Sequence, residues 1–150
     1  MTFRLFICST FLFLLSCKDQ KQENKNKEIN KFDEFIQKEK FVQDRSILYP
    51  GISDPVLKPI LTQKVNQAAE DFKEVAIKEH PTKQQYLEVM KVGLSRFSTN
   101  LPFDTEDRER VCHYFEELMH MVGLESSEGQ LNMFLYGFDP DEPINKATNK

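Results

Sequence analysis

Asp104 to Gly123, DTEDRERVCHYFEELMHMVG, is the stretch whose reading decides the fold. Asp104 is a good N-cap, and Glu106 and Asp107 put negative charge in the first turn, where the helix dipole favours it. Val111, Phe115, Leu118 and Val122 recur at spacings of three and four, which predicts a helix over Thr105 to Val122 with one buried seam. Gly123 ends it, and Leu124 supplies the apolar partner of a glycine-terminated cap.

The same period runs outward in both directions. Toward the N-terminus, Tyr86, Met90, Leu94 and Phe97 share a helix face behind Thr82 and Gln85, a capping-box pair. Gly93 lies in that stripe, which implies close approach of another helix. Leu57, Leu61, Val65, Ala68, Phe72 and Val75 form a longer stripe, with Asp54 as N-cap, Pro55 in the first turn and Pro59 soon after. Ile29, Phe32, Phe35, Ile36 and Val42 give a looser one. Ile47 to Ile52 reads as an apolar loop with a Pro-Gly turn, and Asn100 to Phe103 breaks the chain before Asp104. Toward the C-terminus, a short helix is expected from about Ser127 to Tyr136, ended by Gly137. No strand alternation of useful length and no internal repeat appears. The fold class is therefore all-α: a single small bundle of about five helices over residues 29–138.

The segments around this body have different compositions. Met1 to Ser16 carries one charge, Arg4, then an apolar run closing on Leu14-Leu15-Ser16-Cys17. A charged start, an apolar centre and a small residue at the break is the layout of a secretory signal peptide. The uncharged run from Leu5 to Cys17 falls short of the roughly 20 residues that span a bilayer. Leu14-Leu15-Ser16-Cys17 resembles the lipobox of bacterial lipoproteins, which implies cleavage after residue 16 and acylation of Cys17. Lys18 beside that cysteine resembles outer-membrane more than inner-membrane lipoproteins of Gram-negative bacteria. Residues 17–28 are then the lipidated cysteine and a polar tether, and residues 139–150 a flexible acidic and polar tail. From the Asp104 cap through Phe115-Glu116-Glu117-Leu118, Val122 to Ser127 and Leu135-Tyr136-Gly137-Phe138, the chain resembles a family of small helical bacterial domains of unknown function. That likeness implies an all-α fold and supplies no activity.

Twenty Lys and Arg against 24 Asp and Glu give a net charge of −4; losing Arg4 makes it 19 − 24 = −5. An acidic body without a basic stripe argues against nucleic acid, whose affinity comes mostly from phosphate neutralisation. It also argues against electrostatic docking on anionic lipid, so the membrane is expected to be held through lipid on Cys17. After Cys8 leaves and Cys17 is modified, Cys112 alone remains, so no internal disulfide is expected and stability must come from packing.

His113, Glu116, Glu117 and His120 fall within about a 100° arc of one helix face. Glu117 and His120 have the Glu-x-x-His spacing of di-iron bundles, but the second copy such a site needs is missing. Their arc lies opposite the Val111–Val122 seam, so a solvated polar face is expected and no metal or other cofactor. Cys112 and His113, being adjacent, point about 100° apart and make no thiol–base pair; Cys112 flanks the seam as a small hydrophobe. His80, before Pro81, is read as a turn residue. No phosphate-binding glycine loop, nucleophile elbow or zinc-spaced set is present.

In the short C-terminal helix, Leu131, Phe134, Leu135 and Phe138 share a face that can enter the core. Met133 and Tyr136 point away from it, which makes them the candidate partner-binding residues. The expectation is a monomeric, lipid-anchored envelope protein that binds another protein without catalysis. An immunity protein neutralising a toxin in the periplasm is the first alternative. A metal-dependent enzyme using His113, Glu117 and His120 is the second.

Overall fold

The stripe beginning at Leu57 produces the longest helix, and every apolar position read from it is buried. The computed structural model describes residues 27, 29–97 and 104–138. Among the described residues there are five helices: α1 over 29–37, α2 Leu57–Ala76, α3 Lys83–Ser95, α4 Thr105–Met121 and α5 Gln130–Tyr136. The fold is all-α; one isolated antiparallel pair, Asp44 with Tyr49, is the sole β-type pairing among the described residues. α2 lies along α3 and also meets α4, which in turn carries α5. Leu61, Val65, Ala68 and Phe72 of α2, Met90 of α3 and Val111, Phe115 and Leu118 of α4 form the centre, joined by Phe32 and Phe35 of α1. Gly93 permits the closest approach: a Cβ there would stand 3.0 Å from the Phe115 ring and 3.1 Å from Ala68 Cβ. The glycine costs α3 about 1 kcal/mol in propensity, and in exchange two neighbours close to contact distance.

The caps fix where the helices begin and end. Gln85 N donates to Thr82 Oγ1 (3.3 Å) and Thr82 N to Gln85 Oε1 (3.0 Å), the reciprocal capping box. Asp107 N donates to Asp104 Oδ1 at 2.9 Å. At the far end of α4, Leu124 N reaches Met119 O (2.9 Å) and Gly123 N reaches His120 O (3.4 Å). With Gly123 left-handed at φ 66°, this is the two-bond glycine cap, and Leu124 is buried behind it.

Three boundaries differ from the sequence reading. α2 starts at Leu57, with Val56 as its N-cap; the Asp54 side chain accepts from Val56 N (2.9 Å) and closes the turn before the helix. α5 starts at Gln130, because Glu128 and Gly129 are both left-handed (φ 51° and 78°). α1 stops at residue 37, short of Val42. Its end is set by Lys40, whose Nζ donates back to the carbonyls of Phe35 and Lys38 and stands 4.3 Å above the Phe35 ring.

The chain between α1 and α2 is held by polar groups. Asp44 and Tyr49 exchange two 2.9 Å backbone hydrogen bonds, so the reversal falls at residues 45–48, ahead of Pro50-Gly51. Both ends of this hairpin are bound to α4. Arg110 Nη1 donates to Asp44 Oδ2 (3.2 Å), with its guanidinium 4.6 Å over the Tyr114 ring and 5.5 Å over that of Tyr49. The Tyr49 hydroxyl donates to Asp107 Oδ1, and Ser53 Oγ to Oδ2 (3.0 Å). The Tyr114 hydroxyl accepts from Phe41 N at 2.7 Å. Asp107 is fully buried and Arg110 nearly so. The Tyr49 phenol is pushed well above its ordinary range by burial and by the Asp107 carboxylate.

Lys40 is also fully buried. Desolvation first, then the Lys38 charge, lowers its ammonium pKa to about 8, with Glu117 opposing. Between that value and the ordinary 10.5 the unfolded chain binds more protons than the folded one, so this group's contribution to stability rises with pH. Measured against Lys40→Met, the wild type is expected to gain about 1 kcal/mol per pH unit from pH 8 to 10. Melts of the two proteins across that range check it, and a constant gap overturns it.

Candidate interaction surface

α5 is a seven-residue helix with six bulky or amide side chains after Gln130 and not one of its residues buried. It is fixed at its start. Gln130 Nε2 donates to Leu87 O (3.1 Å), Glu128 N to Ser126 Oγ (3.1 Å), and Lys83 Nζ lies 2.6 Å from Glu128 Oε1. Leu131 and Phe134 pack against the core, the Phe134 ring meeting Phe97 edge-on at 6.1 Å under the Arg108 guanidinium at 5.3 Å. Met133 is 50% exposed and Tyr136 57%, so both candidate residues face solvent as the 100° spacing implies.

Phe138 does not join the core face, as the sequence reading has it. It is 58% exposed, its ring 6.1 Å from that of Tyr136. Gly137 at φ 78° turns the chain out of the helical phase, so the arithmetic that places Phe138 beneath Leu131 and Phe134 ends one residue too soon. Leu135 is only half-buried. The result is a continuous surface of Met133, Tyr136 and Phe138. Beside it lies a cleft of about 490 Å³ between α3 and α5, walled by Leu94, Met133 and Phe134, with Lys91, Ser95 and Gln130 at its polar margin.

The other candidate groups are placed without chemistry. Glu117 Oε2 is 3.1 Å from Lys38 Nζ, and His113 Nδ1 is 2.9 Å from Glu116 Oε2. Three members of the polar face are thus engaged, in two separate pairs, and His120 is exposed. No three His, Cys, Asp or Glu side chains among the described residues are grouped to hold a metal ion. Cys112 is buried. Burial first, then Glu116 and Glu109, pushes its thiol up to about 12, which suits packing and not nucleophilic attack. His80 is exposed at the turn between α2 and α3. The signal peptide, Cys17, the tail and the break at residues 100–103 lie outside the described residues, as does the tether except Lys27, which is helical. No helix among the described residues is long and apolar enough to cross a membrane.

The geometry matches a known domain. The family model described as "Domain of unknown function (DUF4844)" matches residues 21–139. The chain belongs to this family. The DUF4844 body so defined begins before α1 and extends one residue past the exposed Phe138. It is also similar to a solved structure, the crystal structure of a DUF3571 family protein from Acinetobacter baumannii AYE. The two are 37% identical, with a TM-score of 0.70 over 77% of this chain and 93% of that one. No curated protein sequence matches it. Both similarities are to domains of unknown function, so the DUF4844 chain acquires a family and a fold from them and no activity.

Proposed function

We propose that this DUF4844 protein is a lipid-anchored, non-catalytic binding protein of the bacterial cell envelope. Acyl chains on Cys17 hold it to the outer membrane, and a protein partner docks on the α5 surface. One observation carries the reading: a short helix with no buried residue displays Met133 and Tyr136, with Phe138, beside an apolar-walled cleft. Methionine and aromatic residues are the side chains that protein interfaces enrich. The acidic net charge supports a protein partner over nucleic acid. The anchor rests on Leu14-Leu15-Ser16-Cys17, and three acyl chains exceed what stable membrane attachment requires.

Expressed in a bacterium, the protein is expected to take up labelled fatty acid and fractionate with membranes, and Cys17→Ala to abolish both. Labelling that persists in the variant overturns the anchor. On the α5 surface, Met133→Ala and Tyr136→Ala are each expected to cost the fold about 1 kcal/mol or less, while weakening capture of the partner from an envelope extract. Melts that fall as far as those of core variants would place both residues in the core and withdraw the docking site.

A further inference from the structure

Leu48 is 89% exposed and adopts a left-handed backbone (φ 56°), a conformation whose Cβ–carbonyl crowding Gly escapes and Asn tolerates but Leu does not. Ile47 beside it is 37% exposed. Folding explains neither feature, since Asn or Gly at position 48 would relieve the backbone and lose almost no packing. Yet the base of this hairpin is rigid. The two backbone hydrogen bonds between Asp44 and Tyr49 close it, and Asp44 Oδ1 accepts from Ser46 N (3.0 Å) and Ser46 Oγ (2.6 Å). The buried Arg110 and Asp107 fasten its two sides to α4. A rigid mount thus holds a strained aliphatic tip out in water.

We propose that Ile47 and Leu48 insert into the lipid bilayer as a second, shallow contact beside the acyl anchor. The proposal rests on the reading of Cys17 as lipidated. Twelve peptide units separate Cys17 from Ile29, a reach of at most about 40 Å, so the domain stays close to the bilayer. At that effective concentration a contact of two side chains is enough to orient the domain. The chemistry of the tip favours lipid over a protein pocket. Its two apolar side chains, Ile47 and Leu48, are both aliphatic, without the aromatic and methionine side chains that α5 displays. The cavity under it, about 40 Å³, has room for no more than a few water molecules and not for a protein side chain of any size. Arg45 shares the exposed turn, but Glu106 and Glu109 line the cavity beside it and Arg110 is paired with Asp44, so the tip carries no excess of positive charge. Its contact is carried by the two apolar side chains and does not depend on anionic headgroups.

The chain contains no tryptophan, so a single one reports on its own position. The mature, acylated full-length protein carrying Leu48→Trp, reconstituted in phosphatidylcholine vesicles, is expected to lose at least about half its emission when the acyl chains are brominated. Adding phosphatidylglycerol should leave that loss unchanged. Val92→Trp, on the exposed face of α3, should show no loss. With Ile47→Trp as reporter, adding Leu48→Asn should reduce the quenching while the melt holds or rises. If Leu48→Trp and Ile47→Trp both stay unquenched on vesicles that retain the acylated protein, the tip contact is overturned and the anchor stands. Equal quenching at positions 48 and 92 also overturns it, as does quenching that appears only with phosphatidylglycerol. Loss of the fatty acid itself, read by mass before reconstitution, overturns the anchor instead. If Leu48→Trp lowers the helical signal, Ile47→Trp carries the measurement alone.

Discussion

Asp107→Ala is expected to destabilise the domain by about 3–5 kcal/mol, read as a lower urea midpoint at unchanged slope. The carboxylate is fully buried and accepts from the Tyr49 hydroxyl and from the Ser53 hydroxyl and amide. Alanine removes hydrogen bonds to a charged acceptor and leaves the Tyr49 hydroxyl buried without its partner, and the orphaned donor is the larger loss. Arg110 keeps its own carboxylate partner, Asp44, in this variant. Asp107→Asn keeps the shape and one acceptor oxygen, so its effect should be smaller. Restoring part of the loss with Tyr49→Phe in the Asp107→Ala background would identify the stranded hydroxyl as its source. A cost below about 1 kcal/mol for Asp107→Ala would show that the hairpin mount is dispensable to the fold.

Phe115→Ala should cost at least as much, about 3–5 kcal/mol. The ring is fully buried, edge-on to Phe97 at 6.3 Å, and lies against the bare backbone of Gly93. Cavity penalties depend on how well the walls collapse, and here one wall is a glycine with no side chain to swing inward. The loss should therefore sit at the high end of the range. Filling from the opposite side checks this: Gly93→Ala alone should destabilise, because its Cβ meets a ring that cannot retreat, whereas Gly93→Ala with Phe115→Leu should recover part of that loss. Equal effects of Gly93→Ala in both backgrounds would overturn the account.

The sequence carried the periodic parts of this molecule well. α2 and α3 bury the stripes read from spacing, α4 buries Val111, Phe115 and Leu118 with Val122 half-buried at its C-cap, and the Thr82, Asp104 and Gly123 caps act where their side chains or conformations require. These are local features, decided within a turn or two of chain. What was illegible is the polar mount between α1 and α2. Its partners stand 58, 66 and 73 residues apart, and no spacing rule joins Tyr49 to Asp107 or Phe41 to Tyr114. Asp107 reads as a first-turn acid suited to the helix dipole, and it is that as well. One signal was present: Asp107, Arg110 and Tyr114 continue the i, i+3, i+7 rhythm of the seam, so polar groups sit where apolar ones are expected and must find buried partners. At the candidate surface, the exposure of Met133 and Tyr136 followed from helical angles alone. Phe138 did not, because Gly137 reverses the chain just before it.

The mount also sets an order of events during synthesis. α2 and α3 form a local pair, joined within 6 residues of chain between Ala76 and Lys83, and can close as soon as both exist. The segment between α1 and α2 cannot. Phe41, Asp44, Tyr49 and Ser53 have their partners on α4, and Lys38 has its own at Glu117, 79 residues on. A chain produced from its N-terminus therefore carries this hairpin segment open until α4 has followed. On the proposed export of this protein through a membrane channel, that delay would keep the segment unpaired through most of the passage.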